Sequence, residues 1–237
     1  MYKKYFKRVV DFLCAVSFII IFSWLYVIIA FLVRVKLGSP VIFKQIRPGK
    51  IDPATGKEKL FYAYKFRTMT DERDKNGELL PDEKRLTPFG NMLRSTSLDE
   101  FPQVFNILMG DMSFIGPRPH LVKDMVFMNR QQRKRHTVTP GLSGLAQING
   151  RNNIGWRTKI DYDIYYVRHT GFIMDTALMI KTVIAVLRHD GINEEGMATH
   201  EYLGDYLLRI GKITQKEYDE KQLEAKKLIA DFENKSR

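Results

Sequence analysis

The stretch FLCAVSFIIIFSWLYVIIAFLV, residues 12–33, contains no charged side chain. As a helix it is about 33 Å long at a rise of 1.5 Å per residue, which matches the hydrocarbon thickness of a bilayer. It is longer than the apolar part of a typical signal peptide, and residues 34–40 lack a small-residue cleavage site. The sequence therefore predicts a retained membrane-anchoring helix over residues 1–38.

Both flanks of this segment are basic. Four lysines and arginines precede residue 12, and five lie between residues 34 and 50. Because basic residues near the ends of membrane segments stay in the cytoplasm, the pattern favours a re-entrant helix that leaves the membrane on the side it entered. Such a helix needs a bend, and the candidate is Ser23-Trp24, since a serine hydroxyl can bond to a carbonyl one turn earlier. A single-pass helix satisfies the hydropathy equally well and stays open as the alternative.

The net charge of the 237-residue chain, +11, is unevenly distributed. Residues 1–50 carry +8 and residues 101–150 carry +4. With no recognised nucleic-acid motif, this distribution argues against a nucleic-acid partner and favours membrane lipid headgroups. The 44% apolar fraction excludes a disordered chain, and the single cysteine, Cys14, excludes a disulfide framework. The five histidines lack zinc-ligand spacing.

The segments that follow predict an α+β protein that is mainly helical. Residues 41–45 and 60–66 have the composition of short strands. Between them lies a turn-rich stretch that includes Pro48-Gly49 and residues 52–56. Together they predict a small β-hairpin.

The remaining segments are polar, helical or basic. Residues 71–86 predict a mobile surface loop, and a helix is expected at about 88–95. The basic run at 130–135 is expected to be a solvated helix face or a contact with anionic lipid. Residues 172–187 are strongly apolar and predict a helix in the core or in the membrane interface.

The segment SLDEFPQVFNILMG, residues 97–110, predicts an amphipathic helix with two neighbouring carboxylates at its start. Two starts are open. Ser97 with Glu100 fits a capping box, whereas Pro102 in the first turn favours Asp99 as the N-cap. In both registers the carboxylates lie at the positive end of a helix, where they serve either as caps or as catalytic groups.

Cationic and glycine-rich segments surround this helix. Arg94 precedes the carboxylates, and Pro117 and Pro119 flank Arg118, restricting the backbone that carries its guanidinium. A fixed guanidinium suits bidentate phosphate binding, although Pro-Arg-Pro is also a plausible rigid connector. Residues 140–151 match no P-loop and predict a shaped loop that lets a ligand approach closely.

Five features in collinear order, over about residues 1–190, resemble one family. They are the basic-flanked N-terminal helix, YKFRTM (64–69), RSTSLDE (94–100), GDMSFIGPRP (110–119) and PGLSGLAQINGR (140–151). The combination closely resembles the monotopic phosphoglycosyl transferases, also called bacterial sugar transferases, in their small single-domain form. That family commonly has Ser-Pro at the helix bend, where this chain has Ser23-Trp24.

The resemblance implies an activity and a location. The expected reaction is transfer of a sugar-1-phosphate from a UDP-sugar to undecaprenyl phosphate, with Mg2+, releasing UMP and starting the assembly of a glycan such as an exopolysaccharide. The expected place is the cytoplasmic face of the bacterial inner membrane. The implied architecture is a re-entrant helix and amphipathic interfacial helices around a catalytic helix N-terminus.

The resemblance also implies roles for individual residues. Asp99 corresponds to the nucleophile that attacks the sugar-linked phosphorus and forms a covalent aspartyl-phosphosugar, and Glu100 to its partner. Both are candidate Mg2+ ligands. The implied phosphate-binding and substrate-binding residues are Lys65, Arg94, Pro117, Arg118, Pro119 and Arg151.

The chain thus divides into a membrane helix (1–38), a catalytic core (39–190) and a C-terminal extension (191–237). Residues 202–210 place their apolar side chains on one helical face, and Thr214 with Glu217 forms a second capping box. The extension weakly resembles C-terminal helical hairpins of the SHOCT type. We expect a solvated or partner-binding hairpin, with homo-oligomers or later glycosyltransferases as partners.

A hypothesis from another class is a non-catalytic, membrane-anchored protein that binds lipid or a partner through its basic surface. It predicts that Asp99 and Glu100 only cap a helix.

Overall fold

The computed structural model describes residues 2–150, 154–188 and 201–236. Its helices are α1 (Lys7–Leu37), α2 (Asp82–Arg85), α3 (Pro88–Ser95), α4 (Gln103–Met109), α5 (Val122–Met125), α6 (Leu145–Ile148), α7 (Trp156–His169), α8 (Phe172–Leu187), α9 (Leu203–Arg209) and α10 (Gln215–Lys235). Its strands are β1 (Ile42–Ile51), β2 (Glu58–Phe66), β3 (Ser113–Ile115) and β4 (Gly141–Ser143). A π-helical turn covers Tyr2–Phe6, and 3-10 turns cover Leu98–Glu100 and Gln132–Thr137. The mainly helical class with a small hairpin is confirmed.

Strands β1 and β2 form the predicted antiparallel hairpin, with Ile42 opposite Phe66 and Pro48 opposite Leu60. Pro48-Gly49, expected in the turn, lies inside β1, and the turn follows at residues 52–57. Proline cannot donate to the ladder, and the register shifts just after it. Gly49 is required at this point because a Cβ there would lie 2.7 Å from the carbonyl oxygen of Lys59.

Helix α1 runs without interruption through Ser23-Trp24, so the helix break expected there is not present. Ser23 does donate its hydroxyl to the carbonyl of Ile20, at 3.0 Å. In the described part of the chain, α1 is the one helix long and apolar enough to cross a bilayer. The re-entrant path stays a prediction.

One side of α1 packs against the globular core along both of its halves. Ala15 packs against Phe61 and Ile107, and Val33 packs in a cluster with Leu93. The other side exposes large apolar side chains, which include Ile20, Ile21, Trp24, Val27 and Phe31. The helix therefore has one face for the protein and one apolar face that no described residue covers.

Polar bonds fix the register of α1 on the core. Asp11 accepts the backbone N–H of Phe114 at 3.1 Å, and Lys7 pairs with Asp175 at 2.6 Å. Arg8 donates to the carbonyls of Ile107 and Leu108, at 2.6 and 2.7 Å. Those carbonyls lie in the last turn of α4, where a cation is favourable.

Helix α8 was predicted to lie either in the core or in the membrane interface, and its exposed side chains favour the interface. Asp175 and Leu178 are buried against the core, while the opposite side exposes Phe172, Ile173, Ile180, Val183, Ile184 and Leu187. A helix with one buried and one exposed apolar side is typical of the membrane interface rather than of a closed core.

The basic run at 130–135 is only partly the solvated face that was expected. Arg130 and Lys134 are exposed, but Arg135 is fully buried and pairs with Asp163 at 2.7 Å. Arg133 forms an ion pair with Glu58 at the start of β2. The prediction of a solvated residue is wrong for Arg135, because the distant Asp163 accepts its charge in the core, whereas the side chain of Arg133 stays 38% exposed beside Glu58.

The C-terminal extension folds back onto the core. Thr214 and Glu217 form the predicted capping box. The apolar side of α10 packs against β1, β2 and α5, with Ala225 buried at its centre and the rings of Phe232 and Tyr62 5.1 Å apart. The extension is therefore an intramolecular support, and its proposed partners stay predictions.

Ala225→Asp should release α10 from the core. A carboxylate with no partner among Ile46, Val122 and Met125 costs roughly 3 kcal/mol, which corresponds to a fall in melting temperature of about 6–12 °C for a chain of this size. Thermal unfolding of the detergent-solubilised protein measures the change.

Ala230→Asp is the matched control, since Ala230 is exposed on the same helix. Equal shifts for the two variants would contradict the packing of α10 on the hairpin.

Candidate active site

Asp99 and Glu100 lie in the 3-10 turn Leu98–Glu100, just before α4. Both predicted helix starts are wrong, because Ser97 makes no side-chain capping bond and Pro102, not Asp99, occupies the position before α4. Only two residues separate the end of α3 from this turn. The chain reverses within that span through Ser97, whose φ of 57° is left-handed and uncommon for a residue with a side chain.

Glu100 is fixed between two cations. Its Oε1 accepts hydrogen bonds from Lys65 Nζ at 2.7 Å and from Arg118 Nη2 at 2.6 Å. Burial raises the pKa of Glu100, but the charges and hydrogen bonds of Arg118 and Lys65 outweigh it and hold the pKa well below its usual range. Glu100 is therefore an ionised group that joins β2 to the segment after β3.

Asp99 is buried but less engaged. It is 6% exposed, and its carboxylate lies 3.6 Å from Lys65 Nζ, beyond hydrogen-bond distance. Burial raises the pKa of Asp99, with Lys65 and Arg94 opposing the shift and Glu100 adding to it. The two carboxylates thus differ: Glu100 is held by ion pairs, whereas the oxygens of Asp99 remain available.

The predicted phosphate-binding residues largely come together. Lys65 comes from β2, and Arg94 comes from the last turn of α3, where its Nε donates to Thr68 Oγ1 at 3.1 Å. Arg94 and Arg118 both act electrostatically on Asp99. Arg151 lies outside the described residues.

The Pro-Arg-Pro segment is held at each of its carbonyls. Pro117 accepts the N–H of Gly141 at 3.0 Å, and Arg118 accepts Arg135 Nη2 at 2.7 Å. Pro119 accepts Arg47 Nη1 at 2.9 Å. The rigidity expected from the prolines is therefore reinforced by tertiary hydrogen bonds.

Strands β3 and β4, which the sequence did not predict, place this segment next to the glycine-rich one. They pair in parallel, with Ser113 opposite Gly141 and Ile115 opposite Ser143. Gly116 and Gly141 approach so closely that a Cβ on Gly141 would lie 2.1 Å from the nitrogen of Gly116. The glycines therefore allow the two backbone segments to pack closely beside the Pro-Arg-Pro segment.

Three further hydrogen bonds attach α4 and the turn before it to their surroundings. Asn106, fully buried in α4, accepts the N–H of Tyr64 at 3.0 Å and donates to the carbonyl of Tyr62 at 2.7 Å. Tyr26 of α1 donates its hydroxyl to the carbonyl of Phe101 at 2.5 Å. The membrane helix therefore contacts the residue that follows the carboxylate pair.

A narrow cleft borders the ion pairs of Glu100 with Lys65 and Arg118. It is lined by Arg47, Ala63, Lys65, Gln103, Arg118 and Pro119. The sequence alone did not identify Arg47, Arg135 and the buried Lys159 as basic residues near the site. Arg47 lies within a strand, Arg135 within a basic run and Lys159 within a helix, and no motif sets them apart from other basic residues. A basic residue on the core-facing side of a predicted element is the one signal that could have selected them.

A family model described as bacterial sugar transferase matches residues 2–189. The chain belongs to the bacterial sugar transferase family. The match ends before α9 and α10, so the extension at 191–237 lies outside the part that defines the family.

Relatives agree with the membership. The chain is 48% identical over 189 residues to the uncharacterized sugar transferase EpsL of Bacillus subtilis, covering 80% of this chain and 88% of that protein. It is 33% identical to the exopolysaccharide production protein PSS of Rhizobium leguminosarum, covering 76% of this chain and 94% of that protein.

A third relative is named for its reaction. The chain is 38% identical to the UDP-glucose:undecaprenyl-phosphate glucose-1-phosphate transferase of Klebsiella pneumoniae. That match covers 75% of this chain but 39% of the relative, so the chain spans about two fifths of that protein's length.

Asn106→Ala should destabilise the sugar transferase core, because it leaves the N–H of Tyr64 and the carbonyl of Tyr62 buried without partners. The expected loss in the free energy of unfolding is about 2–4 kcal/mol, measured by thermal or denaturant unfolding.

The control is Asn91→Ala, at an exposed position of α3, and it should cost little. A loss for Asn106→Ala no larger than that of the control would show that the amide does not hold α4 to β2.

Proposed function

We propose that this chain transfers a sugar-1-phosphate from a UDP-sugar to undecaprenyl phosphate through a covalent intermediate on Asp99. The observation that carries the proposal is a buried carboxylate, surrounded by Lys65, Arg94 and Arg118, whose oxygens no side chain of the described residues holds by a hydrogen bond. Family membership and the printed name of the Klebsiella relative support the same reaction class.

The difference between the two carboxylates supports different roles for them in the proposed reaction. A nucleophile needs an oxygen free to approach phosphorus, which Asp99 offers and Glu100, bonded to Lys65 and Arg118, does not. Glu100 instead keeps both cations beside the site. The same cations lower the energy of negative charge that builds up on the transferred phosphate.

The reaction takes two steps. In the first, an Asp99 oxygen forms a bond to the sugar-bearing phosphorus of the donor, and the bond from that phosphorus to the bridging oxygen breaks, so that UMP leaves with the electron pair. In the second, a phosphate oxygen of the lipid acceptor attacks the same phosphorus and Asp99 leaves as a carboxylate. Two displacements let one site serve a soluble donor and a lipid acceptor in turn.

The chemistry of the residues fits Mg2+. Mg2+ is usually held by one or two carboxylates together with substrate phosphates and water, and Asp99 and Glu100 supply two neighbouring carboxylates, although no larger cluster of ligands occurs among the described residues. When bound, the ion would neutralise diphosphate charge and stabilise the leaving UMP. The burial that raises the pKa of Asp99 makes a nearby cation favourable for its ionised form.

The proposed location is the cytoplasmic face of the bacterial inner membrane. Both ends of α1 contact the same globular core, through Lys7 with Asp175 and through Val33 in a cluster with Leu93. Because a core with buried ion pairs cannot enter hydrocarbon, this packing supports placing both ends on one side. The exposed apolar sides of α1 and α8 would face lipid, at the depth of the acceptor phosphate.

Incubating the protein with a panel of UDP-sugars, without acceptor, should give a covalent adduct with the mass of the sugar phosphate. Intact-mass spectrometry and peptide mapping should place it on Asp99, with one UMP released per adduct. Asp99→Asn should abolish the adduct because an amide is not a nucleophile at phosphorus.

Asp161→Asn, an exposed carboxylate on α7, is the control and should retain the adduct. A folded Asp99→Asn variant that still releases UMP at the rate of the parent would refute the proposed role and favour a non-catalytic lipid-binding or partner-binding protein.

Cysteines introduced at Lys3 and Ser39, in a Cys14→Ser background, should both resist a membrane-impermeant maleimide in spheroplasts and react after lysis. Both positions are exposed and flank α1. Labelling of one position alone in intact spheroplasts would establish a single-pass helix, and a periplasmic cysteine protein serves as the labelling control.

A further inference from the structure

A buried lysine lies beside the Pro-Arg-Pro segment without a counterion. Lys159 of α7 is 7% exposed, and among the described residues it has no hydrogen bond or ion pair. The ring nearest its Nζ is that of Trp156, with the centroid at 5.7 Å. Arg135, which is buried in the same region, pairs with Asp163, so burial of a cation in this region does not by itself prevent an ion pair.

Arg47 has a similar position. Its two terminal nitrogens donate to neutral acceptors, the Pro119 carbonyl at 2.9 Å and Gln45 Oε1 at 2.5 Å. It lines the cleft together with Arg118. Arg47 therefore brings a second positive charge, and no carboxylate in the described part of the chain contacts it directly.

The carboxylates nearest these cations already accept hydrogen bonds from other groups. Asp163 is bonded to Arg135, and Asp124 accepts the backbone N–H groups of Leu121 and Leu203. Burial, with repulsion from Arg118, lowers the pKa of Lys159 to about 8 and that of Arg47 to about 10. Both shifts show that the positive charges are costly where they stand, as expected for buried charges without partners.

We propose that Lys159 and Arg47 bind the phosphate of the nucleotide, the part of the donor that is not transferred. The inference rests on the proposed function and extends it. Arg118 links the two ends of the site. Its side chain bonds to Glu100, Arg47 donates to the carbonyl of the next residue, Pro119, and Arg135, which donates to the Arg118 carbonyl, pairs with Asp163, one turn after Lys159 on α7. A diphosphate can therefore place its sugar-linked phosphorus at Asp99 and its other phosphate at these cations.

The surroundings of Lys159 favour the soluble donor over the lipid acceptor. The π-helical turn that precedes α1 meets α7 near the C-terminal end of α7, where Lys3 donates to the Val167 carbonyl. Lys159 lies eight residues earlier, about 12 Å away along the helix axis, in the part of α7 that packs against Leu203 of α9. Lys159 therefore lies away from the end of α7 that Lys3 contacts, which favours the soluble donor as the ligand of the subsite.

The test measures UMP binding by titration calorimetry with the detergent-solubilised full-length protein. Lys159→Gln should weaken UMP binding by about tenfold or more, since a charge-assisted bond is lost, and Lys159→Arg should restore most of it. Lys134→Gln, a lysine exposed in the neighbouring 3-10 turn, should leave UMP binding unchanged.

The melting temperature of Lys159→Gln distinguishes a phosphate-binding role of Lys159 from a purely structural one. Removing a buried cation without a partner should leave the melting temperature of Lys159→Gln equal to or above that of the parent. A lower melting temperature together with unchanged UMP binding would overturn the subsite. A raised KM for undecaprenyl phosphate with unchanged UMP binding would assign the subsite to the lipid phosphate and overturn the donor assignment.

The adduct experiment distinguishes failure of this inference from failure of the proposed function. In the Lys159→Gln variant a saturating UDP-sugar should still label Asp99, because the subsite affects donor affinity. If the parent forms the adduct and the variant binds UMP normally, only the subsite is wrong. If the parent forms no adduct, the proposed function is wrong.

Discussion

The ion pairs of Glu100 with Lys65 and Arg118 hold three separate segments together: strand β2, the catalytic turn and the Pro-Arg-Pro segment. Without Glu100 the two cations would repel each other across the site, and loss of either cation would leave a buried carboxylate with reduced compensation. The same pairs distinguish the two carboxylates. Because Glu100 satisfies the cations, the oxygens of Asp99 are left for a ligand.

The membrane helix is part of the scaffold of this site. Tyr26 donates to the carbonyl of Phe101, immediately after the carboxylate pair, and Asp11 accepts the N–H of Phe114, just before the Pro-Arg-Pro segment. Anchor and site are therefore joined by direct hydrogen bonds rather than by a linker. A displacement of α1 would therefore move the carboxylate pair with it, which is the coupling that the proposed transfer to a lipid phosphate requires.

Some basic residues of the chain bind acceptors in the core, whereas others have no carboxylate partner among the described residues. The +8 of residues 1–50 includes Lys7 and Arg8, which bind acceptors in the core as well as flanking the membrane segment. Arg47 and Lys159, in contrast, carry charge that no carboxylate of the described residues neutralises by contact. They differ in this from Arg135, which is balanced by Asp163, and this difference is the basis for proposing that they bind an anion.

The sequence by itself determined the membrane helix, the hairpin, α3 and the pair Asp99 and Glu100, because apolar runs, strand composition and collinear motifs are local properties of the chain. Tertiary structure alone decided which carboxylate is engaged, since Glu100 meets Lys65 from 35 positions away. It also buried Arg135, expected in solvent, against Asp163, 28 positions away. Charge pairing depends on which distant residues fold against each other, and no local pattern carries that information.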